Sequence, residues 1–504
     1  MKVNIKYAYY TLLTGFILSN QKTIAQNADK ETVKVEHGMI NIAMGTHSES
    51  THSIHPDAQW YPDAGLGLFI HWGLSSVKDM GISWPMIPGR PLAVQVLNPD
   101  QIKRVVAEKD YNLNGIKPRI TPNEYWAMAE DFNPKNYNPE KWIKAAKDAG
   151  FTYAVLTTKH HEGFAMWPSA FGDFSTKNFM NGEDLISPFI KACRKYGLKV
   201  GLYYSPPDWH FDRDYMSFLY YKVQSINPSF PKIDADLNAR MVTHSEEEIK
   251  EHNKEYAALV KGQVEELLTR YGKIDLLWFD GTAPIANGRN LITQEEIHKL
   301  QPGIVMNPRM HGKGDFITYE RDLPKEDPGN VWSEFCNTWT NSWTYERSQP
   351  FRSNAFILGQ FVSVKAMKIN YLLGIGPNKD GELRDSAYIN MKVIERWMVQ
   401  NGKSVKMVQR LPAGEYASVP ATANKNIRYL FAIPEFKKDG KNEADKLPAK
   451  DIQIVLHTKA KPKSVSVLGT GTSLVYQYLN GELTVELPAN IRTELVDVVQ
   501  VVLN

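Results

Sequence analysis

The sequence predicts a (β/α)8-like barrel followed by a C-terminal antiparallel β-sandwich. Buried-strand patterns alternate with amphipathic helices over about 300 residues, and glycines follow several of the helices. Such repeated units favour parallel β/α architecture, and an open doubly wound sheet is usually shorter. From about residue 405 the pattern changes to short strands separated by turns. At 504 residues the chain also exceeds what one hydrophobic core usually organises, so two domains are expected.

Residues 1–25 are predicted to be a signal peptide. Lys2 and Lys6 precede the apolar run Tyr7–Leu18, and a Thr-Ile-Ala segment ending at Ala25 fits signal-peptidase cleavage. We therefore expect an exported protein, periplasmic or secreted; a buried N-terminal helix is the alternative. No segment has the ~20 apolar residues of a transmembrane helix, so no membrane span is expected.

The barrel is predicted to occupy residues 50–404. Helical faces around residues 142–149, 186–193 and 256–271 carry apolar side chains at helical spacing, and Gly150, Gly197 and Gly272 follow these helices. Residues 92–124 show no clear period and are expected to leave the barrel on its active face. Six segments are predicted to be short buried strands: Leu66–His71, Tyr153–Thr157, Val200–Tyr204, Ile274–Phe279, Ile304–Asn307 and Tyr371–Ile375.

The β-sandwich is predicted to occupy residues 405–504. Asn480-Gly481 is a hairpin-turn pair within it. The predicted strands are Ile427–Ala432, Ile452–His457, Ser464–Leu468, Leu483–Leu487 and Val496–Val502.

Composition limits the partners. The 59 basic and 56 acidic residues give a formal net charge of +3, too balanced to favour nucleic acid. A glycan or another neutral small molecule is expected instead. Cys193 and Cys336 are the two cysteines, and the sequence decides neither their pairing nor the oligomeric state.

Polar and aromatic residues stand at the ends of the predicted strands, where a β/α barrel places its chemistry. The strings are Leu-Phe-Ile-His-Trp-Gly, Thr-Thr-Lys-His-His-Glu-Gly-Phe, Leu-Tyr-Tyr-Ser, Leu-Trp-Phe-Asp-Gly and Met-Asn-Pro-Arg. Imidazole, aromatic and guanidinium groups would then surround one carboxylate. Such a set suits a sugar, whose hydroxyls need donors and acceptors and whose C–H faces need apolar surface.

In this order the strings resemble glycoside hydrolase family 29, the α-L-fucosidases, from about Trp60 to Lys406. The resemblance implies a β/α barrel with a C-terminal β-sandwich, in agreement with the pattern. It also implies retaining hydrolysis of terminal α-L-fucose from an oligosaccharide or glycoconjugate, with no cofactor and no catalytic metal.

The resemblance assigns roles to named residues. Asp280 is the implied nucleophile; as an isolated Asp before Gly281 it would more often cap a turn. Implied fucose-pocket positions are Phe69, His71, Trp84, His160, His161, Tyr203, Trp278, Arg309 and Trp343. Phe69 and Trp343 would pack on the apolar face and methyl group. Each lone His or aromatic residue has a buried core position as its alternative.

Two carboxylates compete for the acid/base role. Glu320 follows Arg309 by eleven residues, the interval that the resemblance favours, and Glu334 is the alternative acid/base or a supporting carboxylate. One position departs from the family: many relatives carry Glu-Trp after the first strand, and here Ser83 precedes Trp84.

Three alternatives remain open at this level. A catalytically silent barrel could bind fucosylated glycans, but it would not need both carboxylates. An enzyme for a related L-sugar such as α-L-galactoside would differ at the group facing C6. Metal binding by His160 and His161 requires that their strand has already ended, because successive strand residues point to opposite faces.

Overall fold

The computed structural model describes residues 52–87, 120–220, 232–240, 242–282, 291–437 and 446–504. The predicted signal peptide and residues 92–119 of the predicted excursion lie outside these ranges. Within them, none of the helices combines the length and the apolar character needed to cross a membrane.

Eight parallel strands form one curled sheet in the barrel order. Neighbouring strands pair in the order β5-β4-β3-β2-β1-β8-β7-β6, which is the sequential order of a (β/α)8 barrel opened between β5 and β6. This confirms the predicted fold class. The strands are β1 Leu66–Ile70, β2 Tyr153–Lys159, β3 Lys199–Tyr204, β4 Leu276–Phe279, β5 Val305–Met306, β6 Ile317–Glu320, β7 Ser333–Thr338 and β8 Asn370–Ile375.

Asp315 bridges the seam between β5 and β6. Its backbone amide donates to the Met306 carbonyl at 2.7 Å, and its carboxylate accepts from the Met306 amide at 2.7 Å. A Cβ at the preceding Gly314 would lie 2.6 Å from the carbonyl carbon of Asn307, so this close approach requires glycine. The seam is therefore held by a turn, which brings the ends of β5 and β6 together.

Helices lie between the strands and after them. The predicted helix-ending residues Gly150, Gly197 and Gly272 all have positive φ, at 89°, 68° and 71°. At the end of the helix before Gly197, the Gly197 amide donates to the Arg194 and Cys193 carbonyls, and the Leu198 amide donates to the Cys193 carbonyl. The helices are α1 Pro122–Trp126, α2 Pro139–Asp148, α3 Thr176–Phe179, α4 Ile186–Tyr196, α5 Glu246–Thr269, α6 Gln294–Leu300, α7 Asn354–Ala366 and α8 Asp385–Asn401.

The C-terminal part contains two four-stranded antiparallel sheets, with orders β9-β12-β15-β14 and β10-β11-β16-β13. Leu430 of one sheet and Leu456 of the other are both fully buried in a shared apolar core. Asn480 and Gly481, with φ of 52° and 85°, turn β14 into β15 as predicted. The strands are β9 Tyr416–Ala417, β10 Ala421–Asn424, β11 Ile427–Ala432, β12 Ile452–His457, β13 Pro462–Val467, β14 Tyr476–Leu479, β15 Glu482–Leu487 and β16 Asp497–Leu503.

The predicted strands are present, with shifts of a few residues at their ends, but two barrel strands were missed. Strand β6 is half-buried along its whole length, and β7 carries four polar residues, so neither shows an apolar run. The last part of the predicted excursion is structured, since α1 begins at Pro122 behind a Thr121 capping box. Cys193 and Cys336 are both buried and unpaired with each other.

Candidate active site

A pocket lies at the carboxyl ends of the barrel strands, and every predicted site residue except Glu334 lines it. Sequence reasoning missed three further lining residues, Ile82, Arg321 and Cys336. Arg321 directly follows β6 and Cys336 lies in β7, the two strands that showed no apolar run. The predicted residues in the lining are Phe69, His71, Trp84, His160, His161, Tyr203, Trp278, Asp280, Arg309, Glu320 and Trp343.

The Asp280 carboxylate is held by two neighbouring side chains. Its Oδ2 accepts from the Tyr203 hydroxyl at 2.6 Å, and its Oδ1 accepts from Arg309 at 2.7 Å. The backbone amide of Asp280 donates to the Tyr204 carbonyl, which continues the pairing of β4 with β3. Both oxygens thus contact side chains from other strand ends, and the carboxylate is aimed into the pocket while Gly281, at φ 85°, makes the turn.

Arg309 joins the two candidate catalytic carboxylates. Its second terminal nitrogen donates to Glu320 Oε2 at 2.6 Å, while its guanidinium lies 4.6 Å from the centre of the Trp278 ring. Burial lowers the pKa of Arg309, but the carboxylates of Glu320 and Asp280 outweigh burial and raise it above its ordinary value. Arg309 is therefore a permanent cation between two carboxylates.

Imidazole and aromatic rings form the remaining walls. His160 stacks on Tyr203 with ring centroids 5.4 Å apart and planes 3° from parallel, and Phe69 lies 5.9 Å from Trp343. Burial is the main cause that lowers the pKa values of His71 and His161 well below their ordinary range, so both rings are neutral at pH 7. Neutral imidazoles can accept as well as donate hydrogen bonds, as sugar hydroxyls require.

The His71 Nδ1 atom is buried, and no group in the described ranges hydrogen-bonds to it. Phe69 lies in β1 and His71 follows directly after the end of that strand, two residues further along, which explains why both project into the pocket. An unsatisfied buried nitrogen beside apolar rings suits a ligand that carries a polar group.

Glu334 lies deeper in the barrel than the pocket. It accepts from Trp278 Nε1 at 2.9 Å, from the Tyr153 hydroxyl at 2.8 Å and from the Tyr61 hydroxyl at 3.3 Å. Cys336, two residues further along the same face of β7, is the one that lines the pocket. Burial raises the pKa of Glu334 to about 7. Its carboxyl group thus supports the Trp278 ring from below.

Ser83 and Trp84 point in different directions. Trp84 lines the pocket and meets His161 edge-to-face at 5.6 Å. Ser83 is fully buried outside the lining, and its hydroxyl lies 2.7 Å from His160 Nδ1. The position that the resemblance assigned to a pocket carboxylate therefore faces the protein interior here.

Three side chains in the pocket also have the geometry of a metal-binding group. Ligand atoms of His160, His161 and Asp280 all lie within 4.8 Å of one another. Strand β2 ends at Lys159, so the two histidines are beyond the strand, and their ring centroids are only 4.0 Å apart. The condition for both histidines to face one ion is met, as is the condition for both to face one sugar.

The proteins to which this chain is similar are described as alpha-L-fucosidases. The family model described as Alpha-L-fucosidase matches residues 37–403. Human tissue alpha-L-fucosidase is 26% identical over 370 residues, which cover 69% of each chain.

Two solved structures share the fold. Alpha-L-fucosidase isoenzyme 1 from Paenibacillus thiaminolyticus has a TM-score of 0.66 and 26% identity, and the match covers 89% of this chain and 99% of that one. An alpha-L-fucosidase GH29 from Bacteroides thetaiotaomicron, solved as a trapped covalent intermediate, has a TM-score of 0.67 and 22% identity, with 92% and 99% coverage.

Proposed function

Since the chain belongs to the alpha-L-fucosidase family, glycoside hydrolase family 29, we propose that it hydrolyses terminal α-L-fucose from glycans with retention of configuration. The observation that carries the proposal is the arrangement of Asp280 and Glu320 on the two terminal nitrogens of Arg309, at 2.7 and 2.6 Å. A retaining glycosidase needs two neighbouring carboxyl groups, one as nucleophile and one as acid/base.

Asp280 is the proposed nucleophile. Its carboxylate attacks the anomeric carbon, the glycosidic bond breaks, and a covalent fucosyl-enzyme forms. Tyr203 and Arg309 hold both oxygens of the carboxylate before the reaction, so little reorientation is needed on attack.

Glu320 is the proposed acid/base. In the first step its carboxyl proton passes to the departing oxygen, and in the second step its carboxylate takes a proton from the attacking water. Once Asp280 is esterified it carries no charge, and the Arg309 cation then faces Glu320 alone. This favours ionised Glu320 when a base is required.

The apolar pair Phe69 and Trp343 supports fucose as the preferred sugar. Both rings line the pocket, where they would contact the methyl group of fucose rather than the 6-hydroxyl of L-galactose. Measured kcat/KM on matched aryl glycosides should therefore be higher for α-L-fucoside than for α-L-galactoside.

Hydrolysis of aryl α-L-fucoside by the purified protein tests the function, and Asp280→Ala tests the mechanism. The variant should lose nearly all turnover, and azide should partly restore it by attacking from the vacated space, giving fucosyl azide of inverted configuration. Asp275→Ala is the matched control, because Asp275 directly precedes strand β4 and Asp280 directly follows it. Asp275 accepts from the Val200 amide, so its loss should lower stability without removing turnover.

Absence of fucoside hydrolysis by the wild type would reject the proposed function. Wild-type rates in Asp280→Ala would reject only the nucleophile assignment.

We also propose export, on the basis of the charged and apolar pattern of residues 1–25 and the small residue at Ala25. Expression of the full chain followed by N-terminal sequencing of the mature protein should give a sequence that begins at Gln26. An intact N-terminus on protein recovered from the cytosol would contradict it.

A further inference from the structure

Ser83 occupies a strained turn behind the pocket. Its φ and ψ are 54° and −53°, and the Trp84 amide donates to the Ile82 carbonyl at 2.5 Å, which makes Ser83 the centre of a γ-turn with positive φ. This turn is rare and unfavourable for a residue with a side chain. Ile82 and Trp84 both line the pocket, while Ser83 is directed to the opposite side. Backbone strain of this kind is concentrated at functional sites.

The Ser83 hydroxyl has partners that determine its hydrogen-bond roles. It donates its single proton to the Glu162 carboxylate through a short contact, and its oxygen accepts from the Glu162 amide at 3.1 Å. The oxygen also lies 2.7 Å from His160 Nδ1. Because the hydroxyl proton is already used, Nδ1 must carry the hydrogen of that third bond.

The Glu162 carboxylate also determines which ring nitrogen of His160 carries the hydrogen. Its side chain is only 2% exposed, and its Oε2 lies 3.6 Å from His160 Nδ1. A buried carboxylate on this side of the ring favours a proton at Nδ1 and disfavours a lone pair there. In a neutral imidazole whose one hydrogen is on Nδ1, the opposite nitrogen, Nε2, has a lone pair.

His161 has the same arrangement with a different partner. Ser205 donates to the Pro207 carbonyl at 2.9 Å, and its oxygen lies 2.6 Å from His161 Nδ1, so this ring also carries its hydrogen on Nδ1. His161 Nε2 lies 3.6 Å from Asp280 Oδ2. Two acceptors that face each other need a donor between them, and a substrate hydroxyl would supply it.

We propose that Ser83 and Glu162 are positioning residues that fix His160 as the Nδ1–H tautomer, so that its Nε2 accepts a hydrogen bond from a substrate hydroxyl. The identity of that hydroxyl as part of a fucoside rests on the proposed function. The tautomer itself rests on the contacts of Ser83 and Glu162 and not on the proposed function. This role explains the strained turn. Ile82 and Trp84 both line the pocket, and the turn between them points the Ser83 hydroxyl away from the pocket.

Ser83→Gly separates this role from a structural one. Glycine adopts positive φ freely, so the variant removes the hydroxyl and relieves the turn together. Its unfolding temperature should stay close to that of the wild type, because relief of the strained turn offsets the hydrogen bonds that Glu162 and His160 lose. At the same time kcat/KM on aryl α-L-fucoside should fall about 10- to 100-fold because the imidazole is no longer held in its productive state. Ser76→Ala, which removes a buried hydroxyl from the adjacent segment, is the matched control and should keep kcat/KM.

The tautomer is measured without substrate. In protein labelled with 15N-histidine, long-range 1H–15N spectra separate protonated from unprotonated ring nitrogens, and His160→Gln identifies the His160 signals. The wild type should show protonated Nδ1 and unprotonated Nε2, and both Ser83→Gly and Glu162→Gln should move the signals towards a mixture of tautomers. A protonated Nε2 in the wild type, or unchanged kcat/KM in Ser83→Gly, would overturn the proposal. If the wild type lacks fucosidase activity, the proposed function fails, and the spectra still decide the tautomer.

Discussion

Replacing Glu334 by Gln should remove the free-energy cost of ionising a buried carboxyl group, which lowers the stability of the barrel above neutral pH. Burial raises the pKa of Glu334 from its ordinary value of 4.5 to about 7 in the folded protein. At about 1.4 kcal/mol per pKa unit, this rise in the pKa of Glu334 corresponds to about 3 kcal/mol in the free energy of unfolding. Glutamine keeps the size of the side chain and can still accept from Trp278 Nε1, so the comparison isolates the charge.

The sign follows from proton binding. The folded state binds the proton of Glu334 more tightly than the unfolded state does, so this group contributes stability below pH 4.5. That contribution is lost as the pH rises through about 7. The free energy of unfolding of Glu334→Gln, relative to the wild type, should therefore increase by about 3 kcal/mol between pH 4.5 and pH 8.

Urea unfolding followed by tryptophan fluorescence measures this difference. All 12 tryptophans precede residue 405, so the signal reports the barrel rather than the C-terminal sheets. Tyr153→Phe is an informative second variant: it removes a hydrogen bond that favours ionised Glu334, and should extend the pH-dependent range upwards. A difference between Glu334→Gln and wild type that stays constant from pH 4.5 to pH 8 would refute the reasoning.

Two further predictions concern catalysis. Glu320→Ala should impair substrates with poor leaving groups far more than activated aryl fucosides, and azide should yield fucosyl azide of unchanged configuration because Asp280 survives. Glu334→Ala should instead reduce both activities to a similar, smaller extent; the reverse pattern would exchange the two roles. A chelator should leave turnover unchanged, since the proposed mechanism needs no Lewis acid. Loss of activity in EDTA that Zn²⁺ restores would instead make His160, His161 and Asp280 ligands.

Much of the site could be predicted because strand-end residues are local in sequence. The carboxyl ends of parallel strands meet at one rim of a barrel, so a polar residue that ends a buried run is placed there by the strand itself. His71, Tyr203 and Asp280 are of this kind. Strands β6 and β7 escaped prediction because their residues are polar or half-exposed, and they are strands through pairing with their neighbours. Arg321 and Cys336 were missed with them.

The sequence by itself determined the order of the β/α units, the change to antiparallel strands and the set of residues at the rim. Only the tertiary structure decided how deep each side chain lies and which groups share a hydrogen bond. Glu320 and Glu334 are the same residue type, and the sequence alone does not separate their roles. In the structure, β7 places Glu334 below Trp278, and the seam between β5 and β6 brings Glu320 to Arg309. Depth along a barrel and contacts across its seam depend on register and packing between distant segments, which no local pattern records.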